Sequence, residues 1–315
     1  MAGNSNFDEI LTTTLNNYVP KMVDNIFSAR PLFYALTNSS TMRTVSGGAK
    51  IVVPIIYGAN STAKSYAGTE AIDVTAQTGI TAAEYDWGQY AATVTINGIE
   101  EAKNNGEAQI IDLLEGKIFQ TQESIIENMN TMFHSDGTTK ATDWNGLENV
   151  VNDSALTANA LGGIDPSVAG NSFWKSQATT TTGALSLAKL ATRYNSVSVG
   201  NDQPTIIISK ADDYESYEAL LTSNIRYTDT DMADAGFQNL MYKGAPWTFD
   251  AANADGVIYM LNTKYLQLVR HSDTWFKPTP FVRTNTVDAV YSQILCYGQL
   301  TCSNRDRQGY LEGVT

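Results

Sequence analysis

The sequence predicts an α+β protein. Three observations carry this reading: a long helix-patterned run at 107–134, a set of short apolar or alternating stretches that read as strands, and a middle region where helix and strand patterns alternate.

The long run is EAQIIDLLEGKIFQTQESIIENMNTMF, preceded by Gly106 and closed by HSDG at 134–137. Apolar residues fall at 110, 111, 114, 118, 125, 126, 129, 132 and 133, one stripe with Glu, Gln and Lys elsewhere. As a helix it would be about 42 Å long. The stripe is too broad and its heptads too irregular for a coiled coil, so the helix reads as a support for a sheet.

KIVVPIIY (50–57) and the alternating Tyr90, Ala92, Val94 and Ile96 read as two strands. Between them GANSTAKSYAGTEAIDVTAQTG (58–79) is almost free of large apolar residues. Such a connection predicts a long hairpin projecting from the body. From 138 to 183 the chain is loop-rich. A helix pattern then covers 184–195, PTIIIS (204–209) reads as a buried strand, and DDYESYEALL (212–221) reads as a second helix, an α/β or α+β subdomain. PWTFD, GVIYML, YLQLVR and AVYSQILCYGQLTC read as strands. Before all of this, Phe7, Ile10, Leu11, Thr14 and Leu15 show helical spacing. Pro20 opens a second short helix with Met22, Val23, Ile26 and Phe27 that Pro31 stops. This arm cannot form a core alone, so it must pack on the body or on a neighbour.

The 315 residues are 43% hydrophobic and 10% aromatic, a globular composition. Their net charge of −13 opposes any grip on nucleic-acid phosphates, which needs clustered Lys and Arg. The most apolar run, IVVPIIY, is short and broken by Pro54, so no membrane span is expected, and MAGNSNFDEI does not resemble a secretory signal.

Candidate chemistry fails residue by residue. In an extended strand Cys296 and Cys302 lie on one face roughly 20 Å apart, too far for a disulfide. Two Cys and two dispersed His cannot furnish a zinc site. His134 ends the long helix, where a donor suits the free carbonyls, and His271 reads as a surface residue. Asp229, Asp231 and Asp234 imitate a calcium loop, but Asp234 stands where glycine is required and Leu240 where a bidentate Glu belongs. Glu100–Glu101 and Asp212–Asp213 are adjacent pairs, which do not face each other. No GxGxxG, GxxxxGK[ST] or GxSxG occurs. No enzyme and no cofactor are expected.

The order of elements resembles the major capsid proteins of tailed double-stranded DNA bacteriophages, the HK97-like fold. YAATVTINGIEEAKNNGEAQIIDLLEGKI resembles a hairpin's return strand running into the spine helix. LGGIDPSVAGNSFWKSQ (161–177) is similar to a segment in one subset of the family, and YMLNTKYLQLVRHSDTWF and ILCYGQLTCSNRDRQGYL resemble the strands that close the fold. The resemblance implies an N-terminal arm (1–49), an extended hairpin loop (50–96) over a neighbouring subunit, a peripheral domain (97–145 and 271–300) with the spine helix, and an axial domain (146–270, with 301–315). It implies a virion shell protein, assembled in the host cytoplasm as hexamers and pentamers around double-stranded DNA without sequence-specific binding. Portal and decoration proteins would be partners. The charged scaffolding segment of some members is missing before Phe7, so either a separate scaffolding protein serves or none is used. Lys64 lies in the loop, but no acceptor Asn or catalytic carboxylate matches, and covalent cross-linking is not carried over. Candidate subunit-contact residues are Phe7, Leu11, Leu15, Ile26 and Phe27 in the arm; Tyr57, Lys64, Tyr66 and Glu70 in the hairpin; Asp229 and Asp231; and Arg305 and Arg307 in the terminal turn. The alternatives are an encapsulin-like shell holding cargo enzymes, a tail or surface-layer protein, and a hydrolase using Asp229, Asp231 or Asp234.

Overall fold

The computed structural model describes residues 30–37, 41–103, 107–137, 139–151, 160–221, 240–283 and 287–314. In chain order these form α1 (Pro31–Thr37), β1 (Met42–Val45), β2 (Ile51–Ile56), β3 (Ile80–Tyr85), β4 (Gly88–Asn97), α2 (Gly98–Lys103), α3 (Glu107–His134) and α4 (Leu147–Val150). Then follow β5 (Gln177–Gly183), α5 (Leu187–Val197), β6 (Ile206–Ser209), α6 (Ala211–Leu220), β7 (Leu240–Tyr242), β8 (Ala245–Phe249) and β9 (Val257–Leu261). The last are β10 (Leu266–His271), β11 (Lys277–Pro278), β12 (Val282–Arg283), β13 (Ala289–Cys302) and β14 (Gly309–Val314).

Two six-stranded sheets organise the chain. The first is built on β13, whose 14 residues pair antiparallel with β4, β10, β11 and β12, while β1 adds to β10. The long helix α3 spans 28 residues and lies on this sheet. Ile118, Ile125, Met129 and Phe133 recur at helical spacing and bury their side chains with Val94 and Ile96 of β4. Phe133 sits edge-on to Phe33 of α1 (4.8 Å) and to Trp144 (5.6 Å), and Trp144 stacks on Trp275 (5.8 Å). Each such buried side chain contributes about 1.5–3 kcal/mol. Gly298 allows β13 to run this close to β10: a Cβ there would meet the Val269 carbonyl oxygen at 2.6 Å.

The second sheet has the order β5-β14-β9-β6-β8-β7, mixed parallel and antiparallel. It is covered on both faces, so its strands are apolar without alternation. Ile206 and Ile208 face one core and Ile207 the other, as do Tyr259 and Leu261 against Ile258 and Met260. On the second side α5 and α6 supply Leu190, Tyr194, Val197 and Tyr217, and Tyr217 stacks on Trp247 at 4.2 Å. The strand over 309–314 lies between β5 and β9, tying the chain's end to residues 177 and 260.

Three expectations need correction. The hairpin's return strand is not Tyr90–Ile96 but β3: Ile51 pairs with Tyr85 and Ile56 with Ile80, while β4 pairs along its length with β13. The alternation at 90–96 is real, but it faces α3. Second, β10, grouped by sequence with 146–270, belongs to the first sheet through Leu266–Cys302 pairing. Third, His134 does not cap its helix: it turns inward, with Nε2 3.4 Å from Asp250 Oδ2, and both side chains are buried. Asp250 Oδ1 also accepts from Asn130 Nδ2 (2.8 Å) and from the Ala252 amide (3.0 Å). This cluster joins the end of α3 to the loop after β8.

Asp213, in the first turn of α6, is buried, and its Oδ2 has no hydrogen-bond partner among the described residues. Burial, then the charges of Asp212 and Asp255, push its carboxyl up to about 6, against the Gly256 and Lys210 backbone bonds. A carboxyl raised in the folded state costs stability as pH rises from its ordinary value through the raised one. Asp213→Asn is therefore expected to raise the thermal midpoint at pH 7–8 and to have no such effect below about pH 4, where both states are protonated. Melting curves across that range check the sign.

Candidate functional site

The hairpin of β2 and β3 carries apolar residues on both faces, with Glu84, paired to Lys50 at 3.2 Å, opposite Val52 on the outer one. Alternation puts Ile51, Val53 and Ile55 on one side with Ala83 and Tyr85. That side is buried against Leu161, Ile164 and Trp174 of the segment after α4. Gly162 makes the approach possible, since it holds a φ of +64° and a Cβ there would meet Ala83 at 2.7 Å. Tyr57 stacks on Phe173 of the same segment, with centroids 4.6 Å apart. The opposite side carries Val52, Pro54, Ile56 and Ile80, all exposed, Ile56 at 79% and Ile80 at 74%.

Beyond Ile56 the distal part, 57–79, forms no helix or strand and is set by local polar bonds. Asn60 Oδ1 accepts from the Thr62 amide and hydroxyl, and Asp73 Oδ1 from those of Thr75. Ser61 donates to Gln77 across the loop at 2.8 Å. Lys64 pairs with Glu70 at 3.0 Å, and Glu70 also accepts from the Ala67 amide. These bonds hold the Glu70 carboxyl below its ordinary range, the Lys64 contact first. Such an exposed pair shapes the loop more than it stabilises it. Tyr66, Ile72 and Val74 stand exposed around it, Val74 at 92%.

Of the candidate contact residues, Tyr57, Lys64, Tyr66 and Glu70 therefore share this one projection. Phe7, Leu11, Leu15, Ile26, Phe27, Asp229 and Asp231 lie outside the described residues. Arg305 is corrected: it is fully buried, donating Nε to Val150 O (2.9 Å) and Nη2 to Asn149 O (3.3 Å), so no neighbour reaches it. Arg307 is largely buried too, with Nη1 2.6 Å from Asp306 and Nε 3.9 Å from Asp202 of the same chain. Arg305→Ala is expected to cost about 3 kcal/mol in denaturant unfolding, because two buried carbonyls lose a charged donor. Sequence reading passed over Val52, Ile56, Ile72, Val74 and Ile80; for Val52 and Ile56 the signal was an apolar residue at every position of IVVPII.

Cys296 and Cys302 are free and buried, and burial pushes both thiols up to about 12, which removes the thiolate needed for nucleophilic or metal chemistry. No group of three His, Cys, Asp or Glu among the described residues is placed to hold a metal. Among those residues no helix is long and apolar enough to cross a membrane. Replacing both cysteines by Val is expected to leave the subunit folded and its assembly, read by size-exclusion chromatography, insensitive to reductant and chelator.

No protein-family model and no curated protein sequence matches the chain. Solved structures do. The chain is similar to the Cyanophage A-1(L) capsid protein at 15% identity and a TM-score of 0.69, covering 90% of this chain and 92% of that one. It is similar to the capsid of a native GTA particle at 10% identity and a TM-score of 0.57, covering 89% and 91%. It is also similar to the SrpI encapsulin of Synechococcus elongatus PCC 7942 at 12% identity and a TM-score of 0.54, covering 87% and 85%. With two sheets, a helix laid on the first and a hairpin thrown out from the body, the chain has the HK97-like α+β fold of phage capsid proteins.

Proposed function

We propose that this chain is a structural shell protein, the major capsid protein of a tailed double-stranded DNA phage, which self-assembles as hexamers and pentamers around the genome. One observation carries the reading: a hairpin whose outer face and tip present Ile56, Ile72, Val74 and Ile80 to solvent in an isolated subunit. A stable monomer gains nothing from exposing them, whereas a closed shell buries them once per subunit contact, and the many contacts add up. The first-sheet lobe then forms the periphery of each capsomer and the second-sheet lobe, closed by 309–314, its centre. The net charge of −13 fits a wall that encloses DNA without adhering to it. The protein acts without catalysis, in the virion.

The fold likeness to an encapsulin supports a second reading, a cellular compartment with protein cargo. Expression of the chain followed by electron microscopy tests both. Closed particles are expected; a persistent monomer absent from particles overturns the shell reading. Nucleic-acid-free particles that retain a bound host protein favour the compartment.

A further inference from the structure

The hairpin of β2 and β3 is too thin to hold its own direction. A two-stranded ladder is marginal by itself, and one of its two roots is glycine. Gly47 and Gly48 hold φ of +144° and +129°, and a Cβ on Gly47 would meet nothing within 4 Å, so packing does not fix that root. The two roots are tied to each other by Trp87, whose Nε1 donates to Gly48 O at 2.9 Å. The angle at which the hairpin leaves the body therefore comes from contacts along its buried side.

Those contacts are spread over the whole ladder, about 17 Å from the Ile51–Tyr85 pair to the Ile56–Ile80 pair. At the root, Tyr85 Oη donates to the Cys302 carbonyl at 2.8 Å and accepts from the Cys302 amide at 3.2 Å. In the middle, Gly162 lies against Ala83 and leaves no room for a side chain. Beyond the last pair, Tyr57 stacks on Phe173 with the ring planes 16° apart. The middle and distal contacts both come from one segment, Leu161–Trp174.

That segment is held stiffly by its own bonds. Trp174 is fully buried, and its Nε1 donates to Leu161 O at 2.9 Å, which closes the two ends of the segment on each other. Between them Asp165 Oδ1 accepts from the Ser167 amide and hydroxyl, and Asn171 Nδ2 donates to Asp165 O at 2.9 Å. Just after it, the Gln177 amide donates to Gln308 O where β5 joins β14 in the second sheet. The hairpin, by contrast, is rooted through β1 and β4 in the first sheet. One lobe thus carries the hairpin and the other steadies it.

We propose that Leu161–Trp174 is a brace that sets the hairpin's angle within each subunit, with Gly162 and Phe173 as its positioning residues, and that this angle fixes the diameter of the shell. A projecting arm turns a small change of angle at its root into a large displacement at its tip, and copies around a closed symmetry meet at one relative angle. The inference rests on the shell reading and names what inside the subunit sets the geometry of the contact.

Spin labels on Ser65→Cys in the distal loop and Ser216→Cys on α6, both exposed positions, measure the angle in the unassembled subunit in a Cys296→Val/Cys302→Val background. The intact brace is expected to give one narrow distance distribution. Phe173→Ala should broaden it, and the Tyr57 amide, bonded to Gly79 O, should exchange about tenfold faster, while Phe173→Tyr keeps the stack and restores both. Gly162→Ala drives a Cβ into Ala83 and should shift the distribution; adding Ala83→Gly removes that clash and should move it back. In electron micrographs Phe173→Ala and Gly162→Ala should give particles of mixed or altered diameter, and the two rescued variants particles of wild-type diameter. A merely structural role would lower the subunit's melting midpoint and leave the surviving particles at wild-type size. Distributions that neither Phe173→Ala nor Gly162→Ala changes overturn the brace and leave the shell reading standing. Altered distributions with particles of uniform wild-type diameter overturn its hold on the shell. A wild-type chain that forms no particle overturns the shell reading, while the label distances still decide the brace.

Discussion

Asp250→Ala is expected to destabilise the unassembled subunit by about 2–4 kcal/mol, because two donors, the buried Asn130 Nδ2 and the Ala252 amide, lose their acceptor. Asp250 is the meeting point of His134 Nε2 at 3.4 Å, Asn130 Nδ2 at 2.8 Å and the Ala252 amide at 3.0 Å. Its own amide donates to Ser209 O at the end of β6. Removing the carboxylate takes from Asn130 and His134 of α3 their partner at the second sheet. Asp250→Asn keeps an acceptor for Asn130 and should lose less. Burial by itself raises this carboxyl, but the bond and charge of His134, the Ala252 amide and the Asn130 amide outweigh it and hold it below its ordinary value of 3.8. A carboxyl lowered in the folded state adds stability that is present above its ordinary value and lost as pH falls through the folded one. The part of the gap between wild type and Asp250→Asn that comes from this carboxylate should therefore be present above about pH 4 and narrow below it. Denaturant titrations at several pH values measure both; a gap that stays unchanged well below about pH 4 would show that the Asp250 carboxylate does not join helix to sheet in the way described.

Ile56→Asp with Ile80→Asp is expected to abolish particle formation while leaving the isolated subunit folded. The two residues face each other across the hairpin ladder and are exposed in the subunit, so the substitution should shift its stability by no more than about 0.5 kcal/mol. If a neighbour covers both, each contributes about 1.5–3 kcal/mol per contact, and a charge in its place opposes burial outright. That amounts to roughly two to four decades in the association constant of one contact. Analytical ultracentrifugation of the double variant should show subunits at concentrations where wild type is wholly assembled. Normal particles from this variant would mean that the outer face of the hairpin stays wet in the shell.

These two sites were not equally legible. The hairpin announced itself in sequence, since a polar stretch over 58–79 between apolar strands has no place inside a compact body. Its partner strand did not. ITAAEY offers only Ala83 and Tyr85 to the buried side, whereas QYAATVTI alternates cleanly, and the cleaner alternation belongs to the strand that α3 covers. The Asp250 cluster was invisible: residues 120 positions apart in sequence meet there, and nothing local to Asn130, His134 or Asp250 predicts their contact. Arg305 read as a surface charge because it stands in the polar turn SNRDRQG. Its burial depends on the carbonyls of Asn149 and Val150, and a backbone acceptor leaves no mark on composition.

What the sequence determined by itself is whatever local periodicity encodes. The helix over 107–134 follows from its apolar stripe, β13 from the alternation of Cys296, Gly298, Leu300 and Cys302, and the second-sheet strands from short apolar runs. That Cys296 and Cys302 lie unbridged on the buried side of one strand was likewise readable from spacing. Only the tertiary structure decided which strand closes the hairpin and which charges go inside. Those outcomes turn on contacts between distant segments, where burial and backbone pairing override local preference.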